Sequence, residues 1–308
     1  MTQIPDYLDF FALKDHPFRL TPDTSYFFPS YKHQGTLEVL RYALARGEGF
    51  LILTGEPGTG KTLILRLLVE SLPKDKETAF ILSPTLNPKE LLEAILEDLD
   101  IETSASETKE QLLRKFKDHL LDLAKKGKTL VLIVDEAQNL PIESLEELRL
   151  LSNLETEKKK LIQILLVGQP GLKDKLKSPE LSQLLQRISV WEKLEPLSPS
   201  EVVEYINFRW HKAGGIGLNL DKRAYKLLYR ESQGIPRLIN KIMDRAVLVA
   251  AAENKKKIDE NLLKDALNTL DPYDKKNGKI VFFKVGILFL SIIIICITCL
   301  IIWRWWLK

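Results

Sequence analysis

One stretch of eight residues has the composition of a phosphate-binding loop. It reads G-x-x-x-x-G-K-T and consists of Gly55, Glu56, Pro57, Gly58, Thr59, Gly60, Lys61 and Thr62. The glycines let the backbone curl so that successive N–H groups point at phosphates, and a helix beginning there adds the positive end of its dipole. We expect Lys61 to reach the β- and γ-phosphates of ATP and the Thr62 hydroxyl to bind Mg²⁺. We call residues 55–62 the P-loop.

A glycine-rich turn that binds nothing is the alternative interpretation of this stretch. The apolar run 50–53 precedes the P-loop and a second apolar run, 63–68, follows it. The motif therefore lies between a buried strand and a helix, which is where phosphate binding requires it. This context favours the nucleotide-binding interpretation.

Two acidic residues follow a second apolar strand. Residues 129–134 are almost entirely apolar and end at Asp135 and Glu136. We expect Asp135 to hold the hydration shell of Mg²⁺ opposite Thr62, and Glu136 to polarise a water molecule for attack on the γ-phosphate. Since aspartate often caps a following helix, a purely structural role is the alternative. The presence of a P-loop upstream favours the catalytic role, because both motifs serve one phosphate site.

Two further polar residues are candidates for the same site. Gln169 follows the apolar strand 161–168 and would lie beside the γ-phosphate, where it could position the attacking water. Arg187 precedes the segment 188–191 and could reach the γ-phosphate of a neighbouring subunit as an arginine finger. A polar residue that starts a loop and a surface arginine are the respective alternatives.

Residues 49–198 alternate between strand and helix patterns. Strands are predicted at 50–54, 78–83, 130–135, 162–168 and 188–194, and helices at 61–72, 88–98, 108–126, 142–153 and 171–186. Continuously apolar strands that alternate with helices indicate an α/β fold with a parallel five-stranded sheet covered on both faces. Ligands of such sheets bind at the carboxyl ends of the strands, where the P-loop, the acidic pair and Gln169 all lie.

Residues 1–48 form a lead-in to this core. A short helix is predicted at 7–13 and a longer one at 34–47. Between them lies an aromatic cluster, Tyr26, Phe27 and Phe28. The cluster could form a wall of the adenine pocket, although ordinary packing of aromatic side chains is the better explanation for most of its members.

Residues 199–270 show helical periodicity only. A capping box begins at Ser198, and helices are predicted at 202–213, 222–231, 236–253 and 259–270. The pattern predicts a small all-helical domain, which we call the lid. Arg237 stands at the start of its third helix and could fold over the nucleotide phosphates, the alternative being a helix-start arginine without a ligand.

The last part of the chain predicts a membrane anchor. After a basic linker at 271–284, residues 285–303 contain no charge, and nineteen residues span about 28 Å as a helix. Tryptophans at 303, 305 and 306 suit an interfacial belt, and residues 304–308 form a short tail. A buried core helix is the alternative. The basic flank predicts a single pass through the inner membrane with the ATP-dependent part in the cytoplasm.

Composition excludes several other classes. The 308-residue chain is 45% hydrophobic and 28% charged, which indicates a globular protein. Its net charge of +3 does not argue for nucleic acid as a partner. Cys296 and Cys299 lie inside the apolar span, so neither a redox nor a metal site is expected there.

Several motifs together resemble a known family. They occupy residues 10–13, 17–18, 21–23, 33, 47–50, 55–62, 135–138, 168–170, 186–188 and 234–237. These residues resemble the AAA+ ATPases of the general secretion pathway protein A type, over roughly residues 7–270. The resemblance implies that Asp135 and Glu136 form the Walker B motif, that Gln169 is sensor 1, that Arg187 is an arginine finger and that Arg237 is sensor 2. It also implies ATP and Mg²⁺ as cofactors and a homo-oligomeric ring.

The resemblance further implies work on an envelope machine. Members of the family carry a membrane helix and then a periplasmic peptidoglycan-binding domain, and they act with an inner-membrane partner of the B type in type II secretion. Related members serve pilus biogenesis, exopolysaccharide export or DNA transposition. This sequence stops at Lys308, so we expect no peptidoglycan-binding domain, and Ser83 stands where many relatives have asparagine. A DNA-associated ATPase and a nucleotide-gated membrane scaffold are the alternative functions.

Overall fold

The computed structural model describes residues 7–82, 85–155 and 160–270. The predicted linker at 271–284, the span at 285–303 and the tail at 304–308 lie outside the described residues, as does Ser83. Within the described ranges, no helix combines the length and the apolar character that crossing a bilayer requires.

Seven strands within the described ranges form two sheets. The strands are β1 (Phe50–Gly55), β2 (Lys76–Ile81), β3 (Thr129–Val134), β4 (Ile162–Gly168), β5 (Val190–Leu194), β6 (Asn219–Leu220) and β7 (Lys257–Ile258). The first five form one sheet in the order β2-β3-β4-β1-β5, and every neighbouring pair in it is parallel. The predicted parallel five-stranded sheet is therefore confirmed, with strand ends that differ from the predicted ones by a few residues.

Twelve α-helices accompany these strands in the described part of the chain. They are α1 (Tyr7–Phe11), α2 (Tyr31–Ala45), α3 (Lys61–Glu70), α4 (Pro88–Asp98), α5 (Lys109–Lys125), α6 (Ile142–Leu151), α7 (Gly171–Leu176), α8 (Ser182–Leu185), α9 (Pro199–Lys212), α10 (Lys222–Ser232), α11 (Pro236–Ala252) and α12 (Glu260–Asn268).

Alternation along the strands divides the core into two layers. Phe50 and Ile52 of β1 face one layer, whereas Leu51 and Leu53 face the other. The first layer contains buried residues of α4, α5 and α6, and the second contains buried residues of α2 and α3. Because both faces are covered, β1 and β4 are buried along their whole length, which explains their continuous apolar sequence.

Two sequence predictions were wrong in detail. The single helix predicted at 171–186 is divided into α7, a 3-10 turn at Pro179–Leu181 and α8, because Pro179 has no N–H to continue a helix. The lid is not entirely helical, because β6 and β7 pair in parallel through two residues each. Strands of two residues are too short to produce an alternating pattern, so the sequence could not indicate them.

The lid and the beginning of the lead-in share one hydrophobic core. Tyr7, Leu13 and Phe18 are buried with residues of α9 to α12. The ring of Phe11 packs edge-on against Trp210 of α9, with 5.3 Å between the ring centroids. The second part of the lead-in, α2, packs instead on the α/β core. The lead-in therefore connects the two hydrophobic cores.

A close backbone contact joins the lid to the sheet at Gly234. The N–H of Leu197, which follows β5, donates to the Gly234 carbonyl at 2.9 Å. Gly234 has a φ of +73°, and a Cβ atom placed there would lie 2.0 Å from the carbonyl oxygen of Leu197. Both the backbone conformation and the available space therefore require glycine at this junction.

Gly234→Ala should destabilise the protein strongly, and Gly127→Ala is a matched comparison. Gly127 has nearly the same φ, +74°, but no atom lies within 4 Å of an added Cβ. We expect Gly127→Ala to lower the free energy of unfolding by about 1–2 kcal/mol, and Gly234→Ala to cost a further ~1–3 kcal/mol through the clash. Denaturant unfolding measures both values. Equal losses would contradict the close contact at Leu197.

Candidate active site

The P-loop connects the end of β1 to the start of α3. Gly60 precedes α3 with a φ of 106°, and no side chain caps the first turn of this helix. The N–H groups of that turn are therefore left without a side-chain acceptor, an arrangement that suits the binding of a phosphate. An internal hydrogen bond stabilises the loop, because the Thr59 hydroxyl donates to the Glu56 carbonyl at 2.8 Å.

Lys61 lies inside the loop and is almost fully buried. Its Nζ donates to the carbonyl oxygens of Gly55, at 2.9 Å, and Glu56, at 3.2 Å. Burial lowers the pKa of this ammonium group, and the negative charges of Glu136, Asp135 and Glu56 oppose that shift. The ammonium group is therefore enclosed by the loop, with two carbonyl oxygens as its partners.

Asp135 directly follows β3 and is only 7% exposed. Its Oδ1 accepts a hydrogen bond from the Glu136 N–H at 2.8 Å. Burial raises the pKa of the Asp135 carboxyl, as does the charge of Glu136, whereas that backbone hydrogen bond and Lys61 lower it. A cation beside this carboxylate would relieve the unfavourable burial of its charge.

The residues fit a magnesium ion held jointly by protein and phosphate. Thr62 is exposed in the first turn of α3, and Asp135 lies at the same edge of the sheet. No group of three or more histidine, cysteine or acidic side chains within the described ranges could hold a metal by itself. Mg²⁺ normally binds through one or two protein oxygens together with phosphates and water, so Asp135 and Thr62 suffice.

Glu136 and Gln169 are brought together, as expected for a site at the strand ends. Gln169 follows β4 and donates from Nε2 to Oε2 of Glu136 at 3.1 Å. A second amide, Gln138 Nε2, donates to the same carboxylate oxygen. Glu136 itself has a left-handed backbone, with φ 52° and ψ 36°. The turn after β3 therefore presents one carboxylate, held by two neutral donors.

The strand order explains this convergence. Because β4 lies between β1 and β3 in the sheet, Gln169 stands between the P-loop and the acidic pair. The register pairs Thr54 with Gly168 and Val134 with Leu166, so the three strands end close to one another. Residues distant in sequence thus lie near one another at the carboxyl edge of the sheet.

Arg237 of the lid lies directly against the P-loop. Its backbone N–H donates to the Gly58 carbonyl at 3.2 Å. A Cβ atom added at Gly58 would lie 2.7 Å from the Cβ of Arg237, so the two chains are in close contact. The Arg237 side chain is exposed at this position, and its Cδ lies 3.4 Å from the same added Cβ atom.

Arg187 is not joined to this group. It follows α8, and its side chain is exposed. Across the described segments, no hydrogen bond or ion pair joins its guanidinium to the P-loop, Glu136, Gln169 or Arg237. The structure thus brings together every predicted site residue except this one.

A buried histidine supports the P-loop from behind. Nε2 of His33, on α2, lies 2.8 Å from the Thr59 carbonyl, and Nδ1 lies 2.7 Å from Oγ of Ser30. Since a carbonyl only accepts, Nε2 carries the proton, and Nδ1 accepts from the Ser30 hydroxyl. Burial lowers the pKa of His33, which keeps the imidazole neutral and this tautomer in place.

The aromatic cluster of the lead-in lies beside the loop. Tyr26, Phe27 and Phe28 line a cavity of about 40 Å³ together with His33, Thr59, Gly60, Leu63, Leu197, Tyr205, Arg209 and Pro236. The cavity lies where lead-in, P-loop and lid meet. Its volume is far below the ~300 Å³ at which ligand pockets usually begin, so a base could enter only if the surrounding residues moved.

Sequence reasoning assigned no role to His33 or Gln138, although both occur in the motifs that carried the family resemblance. A histidine and a glutamine have many ordinary uses, and neither residue adjoins the P-loop in sequence. Their contacts to the P-loop and to the residue after β4 are made with backbone atoms, Thr59 O and Gln169 N, which almost every residue type supplies. The position of Gln138 two residues after the acidic pair was the only available signal.

Comparison with known proteins agrees with this geometry. Residues 44–176 match a family model described as an AAA domain. The chain is also 44% identical over 252 residues to general secretion pathway protein A of Aeromonas hydrophila. The chain is an AAA+ ATPase. The resemblance predicted from the motifs is thereby confirmed.

This AAA+ ATPase aligns with only part of that relative. The alignment covers 82% of this chain and 46% of the relative, so the chain spans about half of its length. The residues that the structure describes form the α/β core, the lead-in and the lid, and no peptidoglycan-binding domain lies among them.

Solved structures show the same fold. A Cdc6p structure from Pyrobaculum aerophilum is 22% identical with a TM-score of 0.60, and the match covers 77% of this chain and 68% of that one. An ORC2 structure from Aeropyrum pernix is 18% identical with a TM-score of 0.59, covering 85% and 74%. At these identities the likeness concerns the fold alone.

Replacing His33 should change how the stability of this ATPase depends on pH. Unfolded histidine binds a proton near its usual pKa of 6.5, whereas the buried imidazole resists it. The unfolded state therefore binds more protons, and the free energy of unfolding should fall as the pH falls from about 7.5 to about 5.5. His33→Gln should remove this part of the loss, as measured by denaturant unfolding.

The exposed His211 provides the matched control, since His211→Gln leaves the P-loop contact in place. We expect this control to lose as much stability on acidification as the native protein. If the free energies of unfolding of the native protein and of His33→Gln changed with pH in parallel, the burial of His33 would not contribute to the pH dependence of stability.

Proposed function

We propose that this chain is a membrane-anchored AAA+ ATPase whose ATP hydrolysis drives the assembly or operation of an envelope machine, in type II secretion, pilus biogenesis or exopolysaccharide export. The catalytic part of this proposal rests on the Glu136 carboxylate, to which two side-chain amides donate. This carboxylate lies at the same edge of the sheet as the buried Lys61. The 44% identity to general secretion pathway protein A supports the biological part.

Binding uses the backbone of the P-loop and Lys61. The uncapped N–H groups at the start of α3 donate hydrogen bonds to the phosphates of ATP, and residues 55–60 enclose these phosphates. Lys61 exchanges the carbonyl oxygens of Gly55 and Glu56 for β- and γ-phosphate oxygens. Thr62 and Asp135 hold Mg²⁺, which when bound neutralises developing charge on the phosphates.

Hydrolysis uses Glu136 as the base. The oxygen of a water molecule forms a bond to the γ-phosphorus while the bond to the bridging β–γ oxygen breaks, which releases ADP. The proton of the water passes to the Glu136 carboxylate. Gln169 fixes this carboxylate through its hydrogen bond and orients the water from the neighbouring strand end.

Two arginines complete the proposed site. Arg237, whose backbone N–H donates to the Gly58 carbonyl of the P-loop, acts as sensor 2, by which the lid detects the γ-phosphate. Arg187 has no partner of its own in the described part of the chain, which suits a finger that serves the neighbouring subunit of a homo-oligomeric ring.

Membrane anchoring rests on sequence. Residues 285–303 form the proposed single-pass span of the inner membrane, with the basic linker and the ATPase domain on the cytoplasmic side. An inner-membrane protein of the B type is the proposed partner. Nucleic acid is not expected as a partner: the DNA-associated alternative has no support beyond a fold shared at 22% identity or less with the Cdc6p and ORC2 structures.

Glu136→Gln should separate ATP binding from turnover. The substitution keeps the shape of the side chain but removes the base, so we expect ATP hydrolysis to fall by about 10²–10⁴-fold with the ATP dissociation constant nearly unchanged. Lys61→Ala should weaken ATP binding itself. Steady-state hydrolysis and binding of a fluorescent ATP analogue measure the two effects.

The same variant decides between a motor and a nucleotide-gated scaffold. If Glu136→Gln supports the export process in cells as well as the native protein does, ATP binding suffices and the scaffold alternative holds. Native rates of hydrolysis in purified Glu136→Gln would show that the base lies elsewhere.

Charges placed in the middle of the proposed span should release the protein from membranes. Lysine at the centre of a membrane helix costs about 2.5–3.5 kcal/mol per residue on insertion scales, so Ile293→Lys with Ile294→Lys should shift the protein to the soluble fraction. Carbonate extraction of membranes measures the distribution. Ile293→Leu with Ile294→Leu is the control, and membrane retention of the lysine variant would contradict a spanning helix.

A further inference from the structure

Gln138 uses both halves of its side-chain amide to join two strand ends. It lies in the 3-10 turn Ala137–Asn139, directly after the acidic pair. Its Nε2 donates to Oε2 of Glu136, while its Oε1 accepts from the backbone N–H of Gln169 at 3.0 Å. One side chain thus connects the carboxylate after β3 with the backbone after β4.

The position of this amide is tightly confined. A Cβ atom added at Gly168 would lie 2.7 Å from Oε1 of Gln138, so the carboxamide rests directly on the last residue of β4. The main chain of the turn is held as well, since Nζ of Lys175 donates to the carbonyl of Gln138 at 3.0 Å and to that of Leu140. These contacts leave the Gln138 side chain little space to form other hydrogen bonds.

Glu136 needs such support. Its left-handed backbone is a conformation that costs a non-glycine residue about 1–2 kcal/mol, and its side chain is only half-buried. Both amide donors, from Gln138 and Gln169, bind the same oxygen, Oε2. Among the described residues no donor binds Oε1. The carboxylate is thus fixed through one oxygen, and the other is left for a water molecule.

We propose that Gln138 is a positioning residue for ATP hydrolysis, which holds the Glu136 carboxylate and the backbone of Gln169 as one unit and leaves Oε1 of Glu136 to accept the proton of the attacking water. This inference rests on the proposed role of Glu136 as the base. In this proposal, Gln138 keeps the base and Gln169 in fixed relative positions. The carboxamide of Gln138 fits there because Gly168 has no side chain.

A structural role in the turn is the competing explanation, and the two differ in what they affect. A structural role predicts a loss of stability and of ATP affinity in parallel with activity. A positioning role affects turnover while ATP binding is retained, because the P-loop, Lys61 and the lid contacts do not involve Gln138.

Gln138→Met and Gln138→Glu test the proposal in the full-length protein. Methionine keeps the approximate length and removes both hydrogen bonds, and glutamate removes the donor and places a like charge beside Glu136. Loss of a supporting hydrogen bond around a functional group typically costs 10–100-fold. We therefore expect both variants to lose about 10–100-fold in kcat, with the ATP dissociation constant within about twofold of the native value.

Gln111→Glu is the matched control for the amide-to-acid change. Gln111 occupies the third position of a capping box at α5, where glutamate serves equally well. We expect its kcat and thermal unfolding to remain native. A kcat within about threefold of native in folded Gln138→Met would overturn the proposal, as would equal losses of kcat and ATP affinity.

A double variant shows whether Gln138 acts through Glu136. If it does, Gln138→Met should cause no further loss of single-turnover hydrolysis in a Glu136→Gln background, because residues that act as a unit are non-additive. Multiplied losses would overturn the inference. Native turnover in Glu136→Gln alone would refute the proposed base, whereas native turnover in Gln138→Met beside an inactive Glu136→Gln would refute only the role of Gln138.

Discussion

The buried ammonium group of Lys61 imposes the main constraint on the site. An ion removed from water is costly unless oxygen atoms replace its hydration, and here the carbonyls of Gly55 and Glu56 do so. The negative charges of Asp135 and Glu136 oppose the lowering of its pKa without contacting it. Phosphate oxygens carry more charge than carbonyls, so a triphosphate is the better partner, and the loop is held ready to receive it.

The sheet places the reactive groups around that charge. With β4 between β1 and β3, a residue after β4 can bond to a residue after β3 at the same edge of the sheet as the P-loop. Gln169 and Gln138 use this proximity to hold Glu136, which stands in a left-handed conformation that few side chains adopt. The geometry therefore depends on where three neighbouring strands end relative to one another. The side-chain amides of Gln138 and Gln169 then fix the position of the Glu136 carboxylate.

Much of this arrangement was predictable because it rests on local patterns. The continuously apolar strands, the P-loop and the acids after β3 each produce a signal within a few neighbouring residues, and all were found. The division of the predicted helix at 171–186 and the pairing of β6 with β7 depend on single residues and on distant chain segments. The contacts of His33 and Gln138 depend on backbone atoms of other strands and loops, which no periodicity reveals.

The lid contacts the P-loop through backbone atoms. The N–H of Arg237, at the start of α11, bonds to the carbonyl of Gly58, and a Cβ atom at Gly58 would lie 2.7 Å from the Cβ of Arg237. A shift of that carbonyl on nucleotide binding must therefore displace the first turn of α11.

α11 cannot absorb such a displacement by bending locally, because seven of its residues are buried in the lid core. The helix would move as a rigid body, and the lid with it. The first part of the lead-in is attached to the lid, since the buried guanidinium of Arg209, on α9, binds the carbonyl of Pro17 and stacks on Tyr26. Motion of the lid should therefore carry residues 7–18 along, since they are packed in its core. The α2 helix, fixed to the P-loop by His33, should stay with the α/β core, as should Pro22 and Thr24, which bond to α3.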